Sequence, residues 1–241
     1  MAVNDLWLVR HGESVGNQAA TRAELEGSEV IALDIRDADV PLSDTGVEQA
    51  TALQSWMTEH RDAVDVFWVS PYLRARQTLS LALGDGDGVP AAVVDERLRD
   101  RELGILDLLT WRGVIARHPE EAERRRHLGK FYHRPPGGES WADVALRLRS
   151  FLRDATGRPD GSAVVVAHDA VVMLFLYLLL PMEESQLLKF AASHTVLNAS
   201  VTHLRRSDEG WELVEFSAVD HLHREGAEVT VHPGRSDVQP D

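Results

Sequence analysis

Residues 163–167, Ala-Val-Val-Val-Ala, form an unbroken apolar run that ends at His168, and a second apolar run, Ala170 to Met182, begins almost at once. The first run has strand length and is rich in β-branched side chains. A strand with no polar alternation is buried on both faces, the condition of a parallel sheet covered by helices. The second run, 13 residues long, is too short to span a bilayer and reads as a buried helix that Pro181 terminates. A buried strand handing over directly to a buried helix restricts the chain to the α/β class.

The rest of the chain repeats the alternation. Strands are expected at Asp5–Val9, Val64–Val69 and Ala91–Val94, and at Asn198–Leu204 and Trp211–Phe216 around the turn Ser207–Gly210. Helices are expected from Asn17 to about Glu26, behind an N-cap at Ser43, behind Ser70-Pro71, and from about Trp111. A further helix opens with a capping box at Ser140-Trp141-Ala142-Asp143. Their inward stripes read Val47, Ala50, Leu53 and Trp56/Met57, then Tyr72, Ala75, Leu79 and Ala82, then Trp141, Val144, Leu148 and Phe151/Leu152. Gly27 to Pro41 is acidic and aperiodic, a loop or insertion, and Gly84 to Pro90 is a turn cluster. The expected fold is therefore a three-layer αβα sandwich with a mostly parallel central sheet, helices on both faces and an insertion over the active site. Residues 1–220 make a single domain in this reading, with the cap at about 97–140 and a loose polar tail over 221–241.

Composition removes several classes of function. The formal net charge of −14 over 241 residues makes nucleic acid a poor partner, because binding phosphates along a backbone needs a basic stripe. There is no cysteine, so disulfides and thiolate zinc sites are excluded. The opening residues lack a basic segment leading into a long apolar one, so neither a signal peptide nor a membrane partner is expected, and the expected location is the cytoplasm.

Four segments that carry chemistry lie at or just beyond strand ends: Arg10-His11, Arg74, Asp100 to Glu102, and His168. Ligands of open parallel sheets bind at the carboxyl ends of the strands, so residues far apart in sequence meet there. Two arginines and two histidines at one sheet edge suit a dianionic phosphoryl group. An imidazole must be neutral to attack phosphorus, and neighbouring guanidiniums disfavour its charged form. Phosphoryl transfer needs positioning and charge stabilisation, which two guanidiniums supply without a metal or other cofactor.

The segments Arg10-His11-Gly12-Glu13-Ser14 with Asn17, Ser70-Pro71-Tyr72-Leu73-Arg74-Ala75-Arg76-Gln77-Thr78, and Val166-Ala167-His168 together resemble the histidine phosphatase superfamily, which includes cofactor-dependent phosphoglycerate mutases. The resemblance spans roughly residues 5 to 205. It implies that His11 becomes phosphohistidine and that Arg10, Asn17, Arg74 and His168 hold the phosphoryl oxygens. The leaving alkoxide needs a proton donor. The family's usual glutamate, four residues before a glycine such as Gly104, is Asp100 here. Glu102, two residues on, is the alternative acid, since residues two apart on an extended segment share a face.

The implied activity is hydrolysis of a small phosphorylated metabolite. The rivals are a phosphoglycerate mutase, disfavoured because Asp100-Arg101-Glu102-Leu103-Gly104 lacks the aromatic residue usual in mutases, and a phosphate-binding module without catalysis. Plainer readings stand beside these. Asp100 would then pair with Arg97, Arg99 or Arg101 at the surface, and Arg124-Arg125-Arg126 would be a solvated helix face. Asp169 would cap the helix after it, and His221-Leu222-His223 would be incidental. His133 to Ser140 would either line the mouth of the pocket or be a plain loop.

Overall fold

In the computed structural model, which describes residues 3–84, 91–156 and 161–232, the two-residue period of the central strands divides the core into two. Strand β1 (Asp5–Arg10) sends Leu6 and Leu8 to one face and Trp7 and Val9 to the other. Strand β4 (Ser162–Ala167) does the same with Ala163 and Val165 against Val164 and Val166. Each large apolar side chain, fully buried, contributes about 1.5–3 kcal/mol of transfer free energy. A run apolar at every position is thus what a sheet covered on both sides requires.

The six strands are completed by β2 (Val66–Val69), β3 (Val93–Val94), β5 (Val201–Ser207) and β6 (Gly210–Ala218), in the order β3-β2-β4-β1-β5-β6. Pairs β3/β2, β2/β4 and β4/β1 are parallel, while β5 lies antiparallel to both its neighbours. Five strands therefore run one way and β5 runs against them. The edge strand β3 is shorter than the four residues expected.

One face is covered by α6 (Trp141–Thr156), α7 (Asp169–Leu179) and α8 (Glu184–Ser193), and the other by α2 (Asp44–His60), α3 (Leu73–Leu83) and α9 (Asp220–Glu225). Helix α1 (Val15–Leu25) starts at the Ser14 cap. The connection from β3 to α6 carries α4 (Trp111–Arg117) and α5 (Pro119–Tyr132), with a small core of Leu106, Leu109, Val114 and Ala122. Among the described residues no helix is long and apolar enough to cross a membrane.

The sandwich, the caps at Ser43 and Ser140 and the insertion after β3 match the expectation. Four local readings change. Val47 is 41% exposed, because the buried stripe of α2 runs through Gly46, Ala50, Leu53 and Met57 and leaves it one position off the axis of burial. Of the three consecutive arginines only Arg125 is buried, as a 100° step per residue requires when one face of α5 packs inward. Asp169 is the first residue of α7, and the cap position is held by His168. The chain beyond Val219 is not loose up to residue 232. Leu222 of α9 is buried in the core beside α2, and Gln49 holds Glu228 and Thr230 through its side-chain amide. The expected turn over Gly84 to Pro90 lies largely outside the described residues.

Candidate active site

The carboxyl ends of the parallel strands bring the expected residues together. The His11 amide donates to the Ala167 carbonyl at 3.0 Å, and the Ser70 amide donates to the Val166 carbonyl at 3.0 Å. The ends of β1, β4 and β2 are thereby held side by side, and the rings of His11 and His168 meet edge to face, 5.2 Å between centroids. The turn that presents His11 is tight. A Cβ on Gly12 would lie 2.6 Å from the Gly46 carbonyl oxygen, and one on Gly46 would lie 1.9 Å from that of Glu13. The first turn of α2 thus packs directly against the backbone just after the histidine.

His11 is buried, and its Nδ1 lies 2.7 Å from its neighbour's carbonyl, Gly12 O. A carbonyl only accepts, so Nδ1 carries the hydrogen and Nε2 presents its lone pair. Burial first, then the charges of Arg74, His168 and Arg10, hold the imidazole well below its ordinary range. The result is a neutral imidazole nitrogen with a free lone-pair side, beside two permanent cations. The main-chain oxygen of His11 accepts from Asn198 Nδ2 at 3.1 Å and from the Ala199 amide at 3.2 Å, which fixes the ring's base.

Arg74 is buried on α3 and spends all five N–H donors. Its Nε faces His11 Nε2 at 3.3 Å, Nη1 donates to the carbonyl and carboxylate of Asp37 at 2.7 and 2.9 Å, and Nη2 reaches Asp37 at 3.5 Å and Asp100 at 3.1 Å. Burial would lower its pKa, and the two carboxylates outweigh this and raise it. Arg10 donates to the Val196 carbonyl, while its Nε is buried with no hydrogen-bond partner. A buried guanidinium N–H without an acceptor costs free energy until one arrives.

His168 is fully buried, with Nε2 2.8 Å from Ser70 Oγ. Ser70 Oγ also accepts from the Tyr72 amide at 3.3 Å. A hydroxyl that accepts there and donates to Nε2 leaves the hydrogen on Nδ1, which lies 3.3 Å from Asp100 Oδ2 without hydrogen-bond alignment. Burial, then Arg74, Arg147 and Arg10, keep this imidazole too well below its usual range. Asn17 closes the capping box of α1 by accepting from the Ser14 amide at 3.1 Å, so the donor end of its amide is what remains for a ligand.

The two candidate acids are not equivalent. Asp100 sits between Arg74 and His168, whereas Glu102 accepts from the Tyr72 hydroxyl at 3.0 Å with its side chain about half exposed. Residues 99–103 lie between two short 3-10 turns and pair with no strand, and Asp100 and Glu102 meet different partners. The surface pairing considered for Asp100 is replaced by the one with Arg74. Arg97 instead binds Asp95 and Asp154, and Arg99 binds Glu139.

A cavity of about 430 Å³ opens from these groups. Arg10, His11, Asn17, Arg74, Asp100 and Asp169 form its polar end, and Ile31, Leu33, Leu106, Leu108 and Trp111 line its apolar part. Of the His133–Ser140 loop, Gly137 and Gly138 pack on Gly104, whose φ is +55°, and the loop positions Asp100's segment without lining the cavity. Sequence reasoning missed Asp37, Ser70 as a partner of His168, Asn198, and the strut Glu13–His232. Glu13 is held below the usual carboxylate range although burial opposes it, because Ser43, His232 and Gln18 donate to it. Of these, Ser70 and Glu13 had a signal, since they lie in the Ser-Pro-Tyr and Arg-His-Gly-Glu-Ser segments already in view.

A buried neutral histidine, flanked by two guanidiniums and a second histidine at the carboxyl edge of a mostly parallel sheet, has the charge and geometry that suit a phosphoryl group. Residues 6–219 match the histidine phosphatase superfamily (branch 1). The chain belongs to that superfamily, and by class it is a phosphatase. It is 26% identical over 220 residues to a metal-independent phosphoserine phosphatase of Arabidopsis thaliana, covering 91% of this chain and 84% of that one. It is 30% identical over 178 residues to a probable phosphoglycerate mutase of Yersinia enterocolitica, covering 73% and 74% of the two chains. The structure of a mycobacterial glucosyl-3-phosphoglycerate phosphatase in complex with VO3 superposes with a TM-score of 0.68 at 26% identity, over 90% of this chain and all of that one.

Proposed function

We propose that the protein hydrolyses a small phosphomonoester through a phosphohistidine on His11, with Asp100 as proton donor and no metal in the reaction. The observation that carries the reading is the state of His11. Its Nδ1 is committed to the Gly12 carbonyl, and its Nε2 is neutral and faces Arg74. In the first half-reaction Nε2 bonds to phosphorus and the P–O bond to the organic group breaks. The Asp100 carboxyl, which must carry a proton at this step, gives it to the leaving oxygen. In the second, water attacks phosphorus, Asp100 takes its proton, and the P–N bond breaks to release phosphate. Arg10, Arg74, the Asn17 amide and His168 Nδ1–H receive the equatorial oxygens, whose charge is greatest in the transition state.

This chemistry belongs to one domain that runs past the expected end at about residue 220 to include α9 and the chain up to residue 232, with the cap of about 97–140 over the substrate's organic part. The apolar wall of Ile31, Leu33, Leu106, Leu108 and Trp111 favours a substrate with some apolar body beyond its phosphate. A screen of phosphorylated metabolites and an aryl phosphate, read by phosphate release, tests the reading. Release is expected from the wild type, and none from His11→Ala. Rapid conversion of 3- to 2-phosphoglycerate in the presence of bisphosphoglycerate, with little free phosphate, would instead establish a mutase.

A further inference from the structure

The turn 11–13, which carries the histidine, is gripped at both ends by side-chain amides. Asn198 Nδ2 donates to the His11 carbonyl at 3.1 Å, and Gln49 Oε1 accepts from the Glu13 amide at 2.9 Å. Both amides are fully buried, one on α2 and the other in the turn before β5. One hydroxyl joins their far ends. Thr230 Oγ1 donates to Asn198 Oδ1 at 3.2 Å and accepts from Gln49 Nε2 at 2.9 Å. Hydrogen bonds thus run unbroken from the His11 carbonyl through Asn198, Thr230 and Gln49 to the Glu13 amide. The segment that carries Thr230 is itself pinned. Gln49 Nε2 also donates to the Glu228 carbonyl at 2.9 Å, and the His232 ring meets the Glu13 carboxylate at 2.5 Å and the Thr21 hydroxyl at 2.6 Å. Val231, between these anchors, lines the cavity, and Thr230 does not.

A side-chain amide has nearly the same shape either way round, so the partners at both its ends set its direction. The Thr230 hydroxyl gives its one hydrogen to Asn198 and offers a lone pair to Gln49. Asn198 is thereby held with its donor end on His11, and Gln49 with its acceptor end on Glu13. Without the hydroxyl, Asn198 Oδ1 loses the hydrogen it accepts and Gln49 Nε2 loses one of its two acceptors. Both amides are then drawn toward other partners, because a buried polar atom left unpaired is costly. We propose that Thr230 is a positioning residue for the nucleophile: its hydroxyl keeps Asn198 and Gln49 on the two ends of the turn, so that His11 Nε2 stays aligned with phosphorus. The proposal rests on the phosphatase reading, in which His11 is that nucleophile. Thr230 acts through the two amides and touches no reacting atom.

The test is single-turnover release of the leaving alcohol or phenol by Thr230→Val, which keeps the shape and removes the hydroxyl, on one aryl and two alkyl phosphates of different size. The rate at saturation should fall about tenfold or more, since small displacements of an attacking atom are expensive. The factor should be similar for all three esters, because His11 serves each of them, and the half-saturating concentration should change less than about threefold. Thr230→Ser, which restores the hydroxyl, should recover most of the rate. Thr230→Ala, read in the same way, serves if Thr230→Val does not fold. A rate within about twofold of wild type, a loss that Thr230→Ser does not recover, or a loss confined to one ester, as a change in the wall at Val231 would give, would overturn the proposal. Wild type that releases no alcohol from any ester would instead overturn the phosphatase reading, so the two failures are distinct.

Discussion

Asp100 and Glu102 are two residues apart, and their surroundings separate them more than their chemistry does. Asp100 touches both Arg74 and His168, while Glu102 is spent on the Tyr72 hydroxyl at the surface. Asp100→Asn keeps the shape but holds no proton to give to an alkoxide. It should lower kcat on alkyl phosphates by about 100-fold or more, the usual worth of a positioned acid. The loss should be smaller on aryl phosphates, whose leaving groups need less help. Glu102→Gln should stay within about twofold on both. Steady-state kinetics on one alkyl and one aryl phosphate decides the matter, and a large loss in Glu102→Gln with none in Asp100→Asn would exchange the roles.

At the scale of elements, the site depends on how closely α2 approaches the turn after His11. With the Cβ of residue 46 only 1.9 Å from the Glu13 oxygen, Gly46→Ala cannot be accommodated by a side-chain rotation, and the helix must retreat from the turn. The expected cost is about 2 kcal/mol or more, in line with backbone clashes at buried glycines, with a fall in kcat as His11 loses its support. Urea unfolding and turnover measured on the same preparation check this, and an unchanged midpoint would contradict it. Elements are also where the sequence was most and least readable. The strand ends were legible because apolar runs break sharply at Arg10, Ser70 and His168, and a parallel sheet must gather the residues at those breaks along one edge. Asp37 and Asn198 were not, since one lies in an aperiodic loop and the other in the turn leading into β5, where no period constrains a side chain's direction. Glu13 and His232 meet only because the chain after α9 returns to the site, a long-range contact that a polar stretch does not announce.

For the molecule as a whole, four buried histidines among the described residues, His11, His133, His168 and His221, are held below their ordinary range and couple folding to pH. His11 and His168 are held well below their ordinary range chiefly by burial, and His221 is lowered to about 4 by burial, although its hydrogen bond to the Ala199 carbonyl opposes this. In the unfolded chain each takes a proton as pH falls through about 6.5, whereas the folded protein resists. The unfolded state then binds more protons, so stability is full above that pH and declines as pH falls toward 4. For His221 the two values imply a loss of up to about 3 kcal/mol across the window. His221→Gln should flatten this share of the decline in denaturant titrations at about pH 7, 5.5 and 4.5. A decline as steep as in the wild type would show that His221 is not among the groups responsible.

Everything proposed for the site turns on His11 Nε2 carrying the phosphoryl group between the two half-reactions. The most direct measurement is a rapid quench into alkali during turnover of a labelled phosphomonoester, with mass analysis of the digested chain. Acid-labile label, approaching one equivalent, is expected on the peptide that contains His11, and none in His11→Ala, which should also release no phosphate. Label on another residue, or phosphate release that persists in His11→Ala, would contradict it.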